Sequence, residues 1–246
     1  MESRVLAVAN QKGGVGKTAT AVNMAAALAQ LGLQTLLIDL DPQANATGNL
    51  LNETNQPGIA EVLIEDIELK RVIRPTGRKH LTIVPGSNRL SSYVPENRVD
   101  LRQKIREGTP TVKFVVLDCP PALGGATTAA LAGCDEIVVP VQAEYLALEG
   151  LSSLTTAVNR VRDGFTVVKT RYLVTMFDGR NRLAQEVEAD LRRHFGESVS
   201  RSVIPRSVRM AEAPGFRRTI FEHAPNSGVA EAYAAFAKEV AADAGR

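Results

Sequence analysis

The sequence has few cysteines and no long apolar run. Its 246 residues include only two cysteines, Cys119 and Cys134, too few for a disulfide framework, so we expect a reducing compartment, the cytoplasm by default. The first apolar run, residues 5–9, is too short for a signal peptide or a membrane span. Hydrophobic residues make up 44% and charged residues 23% of the chain, which excludes collagen-like, disordered and low-complexity classes. We therefore expect a soluble, folded protein.

The net charge of +2 conceals a regional imbalance. Residues 160–218 hold 13 Lys or Arg against 7 Asp or Glu, and 12 of those 13 cations are arginines. The planar guanidinium fork of arginine matches the geometry of phosphate. A solvated surface in an arginine-rich protein explains the excess equally well at this point, so charge alone does not identify a partner.

Short apolar runs alternate with helix-forming segments along the chain. Six runs predict strands that are buried on both faces: 5–9, 35–39, 81–84, 114–118, 136–140 and 172–175. Five segments predict helices: 18–31, 123–133, 145–161, 182–194 and 228–243. There is no repeat and no Pro/Ser-rich linker between them. The alternation predicts an α/β fold with a mainly parallel, twisted sheet and helices on both faces, in a single domain over residues 1–246.

The first predicted strand leads into a loop rich in glycine and lysine. The loop reads Asn10-Gln11-Lys12-Gly13-Gly14-Val15-Gly16-Lys17-Thr18, and a helix follows it. In such a setting, glycines let backbone amides turn toward phosphate oxygens, and the helix N-terminus adds its positive dipole end. We expect Lys17 to reach the β- and γ-phosphates and the Thr18 hydroxyl to hold Mg²⁺. The alternative is a glycine-rich turn with incidental lysines.

Acidic residues end two of the other predicted strands. Asp39 and Asp41 are two residues apart, so both face one side of the extended strand end, and Asp118 ends the run Val115-Val116-Leu117. The carboxyl ends of parallel strands open toward the ligand crevice of such a sheet, where carboxylates can face Mg²⁺ and an attacking water. An apolar run that ends in one carboxylate has the Walker B form, in which Asp118 binds Mg²⁺.

Three segments together resemble the ParA/MinD ATPases with a deviant Walker A loop. They are residues 12–18, the segment Asp39-x-Asp41-Pro-Gln-x-Asn-Ala-Thr47, and Asp118-x-Pro-Pro121. The loop departs from the ordinary pattern because Gln11 stands where the first glycine is usual, and Lys12 is added. The chain has no Asn-Lys pair, so the base-recognition element for GTP is missing and ATP is favoured.

The resemblance implies a P-loop NTPase-type fold, an ATP cofactor with Mg²⁺, and roles for single residues. Lys12 would cross to the partner's ATP in a homodimer that forms when ATP is bound, and Asp41 would position the water for hydrolysis, so that Lys12, Lys17 and Asp41 are catalytic. Thr18, Asp39 and Asp118 would hold the metal. The nucleotide would contact Lys12, Gly13, Gly14, Val15, Gly16, Lys17, Thr18, Ala19 and Pro205.

Residues 140–150 and 204–214 look like the chromosomal ParA (Soj) branch, and the resemblance runs from residue 4 to about residue 242. It implies nonspecific double-stranded DNA, a ParB/Spo0J-like centromere-binding protein that accelerates slow hydrolysis, and a nucleoid-associated location. In this family the arginines that match Arg180 and Arg209 bind DNA, and Arg206, Arg217 and Arg218 are expected beside them. For any one arginine, a solvated or salt-bridged side chain is the alternative.

Other members of the superfamily supply competing functions. A MinD-like ATPase that cycles on membranes carries a cationic amphipathic C-terminal helix. Here the polar residues beside the stripe Val229, Tyr233, Phe236 and Val240 are net acidic, so we expect core packing and no membrane partner. A ParA-like ATPase that positions a protein cargo would use nearly the same residues. Four residues precede the first predicted strand, so no N-terminal helix-turn-helix is expected.

An iron–sulfur reductase shares the same loop and bridges a cluster with two cysteines per subunit. Cys119 and Cys134 lack the Cys-Gly-Gly context of those reductases. We expect both to be small buried hydrophobic side chains.

Overall fold

The computed structural model describes residues 3–53, 57–94, 100–122, 124–144 and 169–243. Its named strands form one seven-stranded sheet in the order β3-β4-β2-β5-β1-β6-β7. Only β3 runs antiparallel to its neighbour. The strands are β1 (Arg4–Val8), β2 (Thr35–Asp39), β3 (Arg74–Pro75), β4 (Leu81–Val84), β5 (Phe114–Asp118), β6 (Glu136–Gln142) and β7 (Lys169–Thr175).

Helices connect the strands and cover the sheet. In chain order they are α1 (Lys17–Gln30), α2 (Asn45–Leu50), α3 (Ile59–Glu65), α4 (Leu101–Gly108), α5 (Gly125–Gly133), α6 (Arg182–Phe195), α7 (Val208–Glu212), α8 (Ile220–His223) and α9 (Gly228–Ala242). Short 3₁₀ helices lie at Leu69–Arg71, Asn88–Ser92, Gly196–Ser198 and Ala213–Phe216.

The continuous apolar runs form strands that are buried on both faces. Every residue of β2 and of β5 is buried. Alternate side chains enter two separate cores: Leu36 and Ile38 pack on the side of α3 to α6, and Leu37 packs on the side of α1, α2, α8 and α9. The predicted mainly parallel sheet with helices on both faces is therefore confirmed.

The register of the sheet places the acidic strand ends side by side. Asp39 at the end of β2 is the direct partner of Asp118 at the end of β5, and Asp118 also lies opposite Val8, just before the glycine-rich loop. Three segments that are far apart in sequence thus meet at one edge of the sheet.

The predicted elements that fall on described residues are confirmed with small changes at their ends. The helix predicted over 123–133 begins at Gly125, and the strand predicted at 172–175 begins at Lys169. The helix predicted over 145–161 lies outside the described residues. The C-terminal stripe is confirmed as core packing because Val229, Tyr233, Phe236 and Val240 are all buried.

Candidate functional site

The loop between β1 and α1 has open space beside one of its glycines and is anchored to the end of β7. Gly14 and Gly16 have φ values of 76° and 88°, in the left-handed region that favours glycine. A Cβ atom at Gly14 would meet nothing within 4 Å, so there is open space beside the loop at this position. The Thr175 hydroxyl at the end of β7 donates to the Val15 carbonyl at 2.9 Å. Gly16 supplies no side-chain cap to α1, so the first amides of this helix are left for an anion.

The two lysines of the loop point to different partners. Lys17 is only 7% exposed, and its Nζ donates to the Lys12 carbonyl at 3.0 Å, across the loop. Burial lowers the pKa of Lys17, while Asp118 and Asp41 oppose that shift. The Nζ of Lys12 instead lies 3.4 Å from Glu144 Oε2, in an exposed ion pair.

Asp118 is a fully buried carboxylate that makes no hydrogen bond of sound geometry with the described residues. The Thr18 hydroxyl is nevertheless close enough to favour the ionised form. Burial, reinforced by the neighbouring Asp39, raises the pKa of Asp118 well above its usual value. A buried polar group in this condition fits a ligand that the chain itself does not supply.

Asp39 is also fully buried, but its oxygens have partners. Its Oδ2 accepts from the Thr47 amide at 2.8 Å and from the Thr47 hydroxyl at 2.7 Å, and its Oδ1 accepts from the Asp41 amide at 3.1 Å. The Thr47 hydroxyl also accepts from the Gly86 amide at 2.9 Å. Burial raises the pKa of Asp39 to about 6. A metal bond to Asp39 would have to share oxygens that already hold the start of α2.

Asp41 lies at the same edge of the sheet and is largely buried. Its Oδ1 accepts from the Gln43 amide at 2.9 Å, which closes the turn into α2. Its charge acts on both Lys17 and Asp118. Lys17, Thr18, Asp39, Asp41 and Asp118 thus form one cluster, as the sequence predicts.

Pro205 lies beside the end of β7. It forms a parallel bridge with Phe177, where the Phe177 amide donates to the Ile204 carbonyl at 3.0 Å and the Arg206 amide donates to the Phe177 carbonyl at 2.9 Å. Residues 206–218, which we call the ridge, continue from this point. A cleft of about 310 Å³ separates the ridge from α1 and α2, and it is lined by Thr18, Asn49, Met210 and Arg218 among others.

The five candidate arginines are exposed. Arg180 forms two hydrogen bonds of 3.0 Å to Asp178, Arg209 reaches Glu212 at 3.1 Å, and Arg217 donates to Asn52 at 3.2 Å. Four of the five lie on the ridge, namely Arg206, Arg209, Arg217 and Arg218.

Both cysteines are confirmed as buried. Burial raises the pKa of the Cys119 thiol well above its usual value and that of Cys134 to about 12, so both remain protonated at neutral pH. Within the described ranges, no group of three or more His, Cys, Asp or Glu side chains could hold a metal ion by itself. None of the helices in these ranges is long and apolar enough to cross a membrane.

Sequence reasoning missed several residues that support the site. Asn10 donates to the Pro140 carbonyl at 2.8 Å and holds the Lys12 amide at 3.0 Å. Thr175, Thr47 and Glu144 were likewise not expected to contact the loop or the acidic residues. Thr47 ends the segment 39–47 that was singled out in the sequence, but its partner Gly86 is 39 residues away. No local sequence pattern predicts such a contact.

Comparisons with known proteins agree with this geometry. Residues 3–169 match a family model described as an AAA domain. The chain is 47% identical over 244 residues to the chromosome-partitioning ATPase Soj of Thermus thermophilus, covering 97% of this chain and 96% of the relative. It is 38% identical to the sporulation initiation inhibitor protein Soj of Bacillus subtilis, covering 98% and 99% of the two chains. Among solved structures, cobyrinic acid a,c-diamide synthase from Mycobacterium smegmatis with bound ADP and magnesium is similar, with a TM-score of 0.84, 29% identity, and coverage of 99% and 97%.

Proposed function

Because the chain belongs to the family of Soj/ParA chromosome-partitioning ATPases, we propose that it uses one cycle of ATP binding and hydrolysis to hold and release DNA. In this cycle the protein binds ATP with Mg²⁺, forms a homodimer across the two nucleotides, and binds double-stranded DNA without sequence preference. A ParB/Spo0J-like centromere-binding protein then accelerates hydrolysis. The protein works in the cytoplasm on the nucleoid.

The observation that carries the proposal is the buried Asp118 carboxylate beside the glycine loop, whose oxygens make no hydrogen bond of sound geometry with the described residues. Mg²⁺ in phosphate sites is held by one or two carboxylates together with the phosphates and water, so the protein need not supply a complete cage. Asp118 and the Thr18 hydroxyl are the groups that would hold the ion. Asp39 would hold the start of α2 beside the ion through its hydrogen bonds to Thr47. Bound Mg²⁺ would neutralise charge that develops on the phosphate oxygens.

Two residues of this cluster would act directly on the reaction. Lys17 would exchange the Lys12 carbonyl for a phosphate oxygen, a stronger partner because it is charged. Asp41 would orient the attacking water, since among the described residues only the Oδ1 of its two carboxylate oxygens accepts a hydrogen bond, from the Gln43 amide. The amides of residues 13–19 and the segment at Pro205 would bind the phosphates and the base.

Lys12 would serve a second copy of the chain. Its Nζ lies 3.4 Å from Glu144 Oε2, and its side chain is about one-third exposed. Exposed ion pairs of this kind contribute only about 0–1 kcal/mol. Lys12 can therefore leave Glu144 at little cost and reach the γ-phosphate held by a partner, which links dimer formation to ATP.

The exposed arginines supply the DNA surface. Arg180 and the four ridge arginines carry charge that is only partly neutralised by Asp178 and Glu212. Sequence-independent binding needs cations that face phosphates, and its affinity falls steeply with salt. Thr18 and Arg218 line the same cleft, which supports a DNA surface close to the bound nucleotide.

One titration tests the proposal. Binding to a random-sequence duplex is measured with ATP, with ADP and without nucleotide, for the wild type, Lys12→Ala and Arg209→Glu. Lys70→Ala and Arg71→Glu are matched controls, because both residues are exposed, pair with Glu68, and lie on a 3₁₀ helix at the other side of the sheet. We expect tight binding with ATP only, loss in both test variants, and wild-type behaviour in both controls.

Two results would contradict the proposal. Equal binding of the wild type without ATP would remove the nucleotide switch. Wild-type DNA affinity in an Arg209→Glu protein that still dimerises would place the DNA surface elsewhere. ATP-dependent binding to anionic vesicles, with no DNA binding, would support the MinD-like alternative instead.

A further inference from the structure

The ridge exposes two apolar side chains among its arginines. Val208 is 74% exposed and Phe216 is 64% exposed, the two highest values among the large hydrophobic side chains in the described part of the chain. Over residues 206–218 they are accompanied by four arginines and only one carboxylate, Glu212. A surface that binds only phosphate has no use for an exposed aromatic ring, so Phe216 needs an explanation of its own.

The Phe216 ring is held in place on one side only. It stacks on the His223 ring, with the centroids 5.1 Å apart and an angle of 25° between the planes. His223 Nε2 lies 3.2 Å from Glu212 Oε2, and the same carboxylate oxygen accepts from Arg209 at 3.1 Å. One face of the ring is therefore backed by a hydrogen-bonded imidazole, and the other face is open to solvent.

The backbone under Phe216 is also fixed. Arg217 adopts a left-handed conformation with φ 52°, and its amide donates to the Pro214 carbonyl at 3.0 Å. The Arg217 carbonyl accepts from Arg78 Nη2 at 2.9 Å. A ring held in this way loses little conformational freedom when a ligand covers it.

We infer that Phe216 is an apolar DNA contact that packs against deoxyribose and base edges in a groove of the duplex, beside phosphates bound by Arg217 and Arg218. The inference rests on the proposed function and adds a base-side contact to its phosphate contacts. Groove-binding proteins often place Phe or another apolar side chain against the base steps. The alternative polyanion, an anionic membrane, is disfavoured because α7 has only five residues, too few to lie as an amphipathic helix in a bilayer interface.

The salt dependence of DNA affinity distinguishes the Phe216 contact from the phosphate contacts of the arginines. Affinity of the ATP-bound protein for a random-sequence duplex is measured at three or more salt concentrations for the wild type, Phe216→Ala, Phe216→Leu and Arg218→Gln. We expect Phe216→Ala to weaken binding at least fivefold, about 1 kcal/mol, at every salt concentration, with the slope of log K against log salt unchanged. Arg218→Gln should reduce that slope by about 1. Phe216→Leu should recover most of the affinity.

Ile64→Ala is the matched control, since Ile64 is an exposed apolar residue on α3, on the other side of the sheet from the ridge, and it should bind DNA as the wild type does. Phe216→Ala should also keep the basal rate of ATP hydrolysis. The inference is overturned if Phe216→Ala binds within twofold of the wild type, if its salt slope changes as in Arg218→Gln, or if it loses only binding to anionic vesicles. If the wild type itself does not bind the duplex with ATP, the proposed function fails rather than this contact.

Discussion

Replacing Glu136 by glutamine should destabilise the fold far more than the loss of one surface charge. The Glu136 carboxylate is 1% exposed and lies between two arginines, Arg4 and Arg171. Arg171 reaches it at 2.5 Å and also binds Asp243 at 2.6 Å, while Arg4 donates to the Val240 carbonyl at 3.1 Å. This network ties β1, β6 and β7 to the end of α9.

The size of the expected loss of stability follows from the burial of the Glu136–Arg171 ion pair. Glutamine has nearly the same volume, so the substitution leaves no cavity, but it leaves the 8% exposed Arg171 with less negative charge around it. Breaking a buried ion pair by removing one partner costs about 3–5 kcal/mol. For a chain of this length, about 2–4 °C of Tm is lost per kcal/mol, so the expected decrease in Tm is about 6–20 °C.

Thermal unfolding followed by circular dichroism measures this decrease. Glu186→Gln is the control, because the Arg182–Glu186 pair is exposed on α6 and should contribute no more than about 0.5 kcal/mol. Equal decreases in Tm in the two variants would refute the assignment of a buried ion-pair network to Glu136.

Asp243 supplies a second check on this network. Arg171 and then Lys169 hold the pKa of Asp243 well below the usual 3.8. The contribution of Asp243 to the free energy of unfolding is therefore present above pH 3.8 and is lost as the pH falls further.

Three further predictions concern the cluster at the edge of the sheet. Asp118→Asn should raise the Tm of the nucleotide-free protein by about 2–12 °C, since it removes a buried charge that has no hydrogen bond of sound geometry among the described residues, worth about 1–3 kcal/mol. Because the pKa of Asp118 is raised, this gain in Tm should grow as the pH rises. Mg²⁺-dependent ATP hydrolysis by the same variant should fall about 100-fold or more. An unchanged hydrolysis rate would exclude Asp118 as a metal ligand. Asp41→Ala should lower hydrolysis by a similar factor, about 10²-fold or more, yet keep ATP-dependent DNA binding; normal turnover would remove Asp41 from catalysis. Gly86→Ala would place a Cβ atom 2.7 Å from the Asp39 carbonyl oxygen and should cost about 1–3 kcal/mol in chemical denaturation, whereas Gly48→Ala, which meets nothing within 4 Å, should leave stability unchanged or raised.

The central strands could be predicted because burial on both faces leaves a direct trace in the sequence. Runs such as Leu36-Leu37-Ile38 have no polar interruption, and they fill both cores. The short helices had no comparable signal. In α2, two asparagines and Gly48 are poor helix formers, and the helix is held by buried Ala46 and Leu50 and by Thr47. The strand β3 is two residues long and contains Pro75, so it could not be recognised before its partner β4 was known.

The functional cluster was predictable where its residues are adjacent in sequence. Lys17 and Thr18 follow the glycines directly, and Asp39 and Asp118 end recognisable strands. The supports of the site come from distant segments: Thr175 holds Val15 from 160 positions away, and Asn10 reaches Pro140 across 130 positions. Only the three-dimensional fold brings such pairs together.

The hydrogen bonds of Thr47 determine which amides are exposed when the start of α2 moves away from β2. Its hydroxyl donates to Asp39 and accepts from the Gly86 amide, while its own amide donates to the same carboxylate. The start of α2 cannot move away from β2 without exposing both amides at once. Protection of Thr47 and Gly86 against hydrogen exchange should therefore be lost together, with one opening free energy, and it should increase together when nucleotide is bound. Exchange of these two amide protons therefore measures the opening of the proposed ATP site.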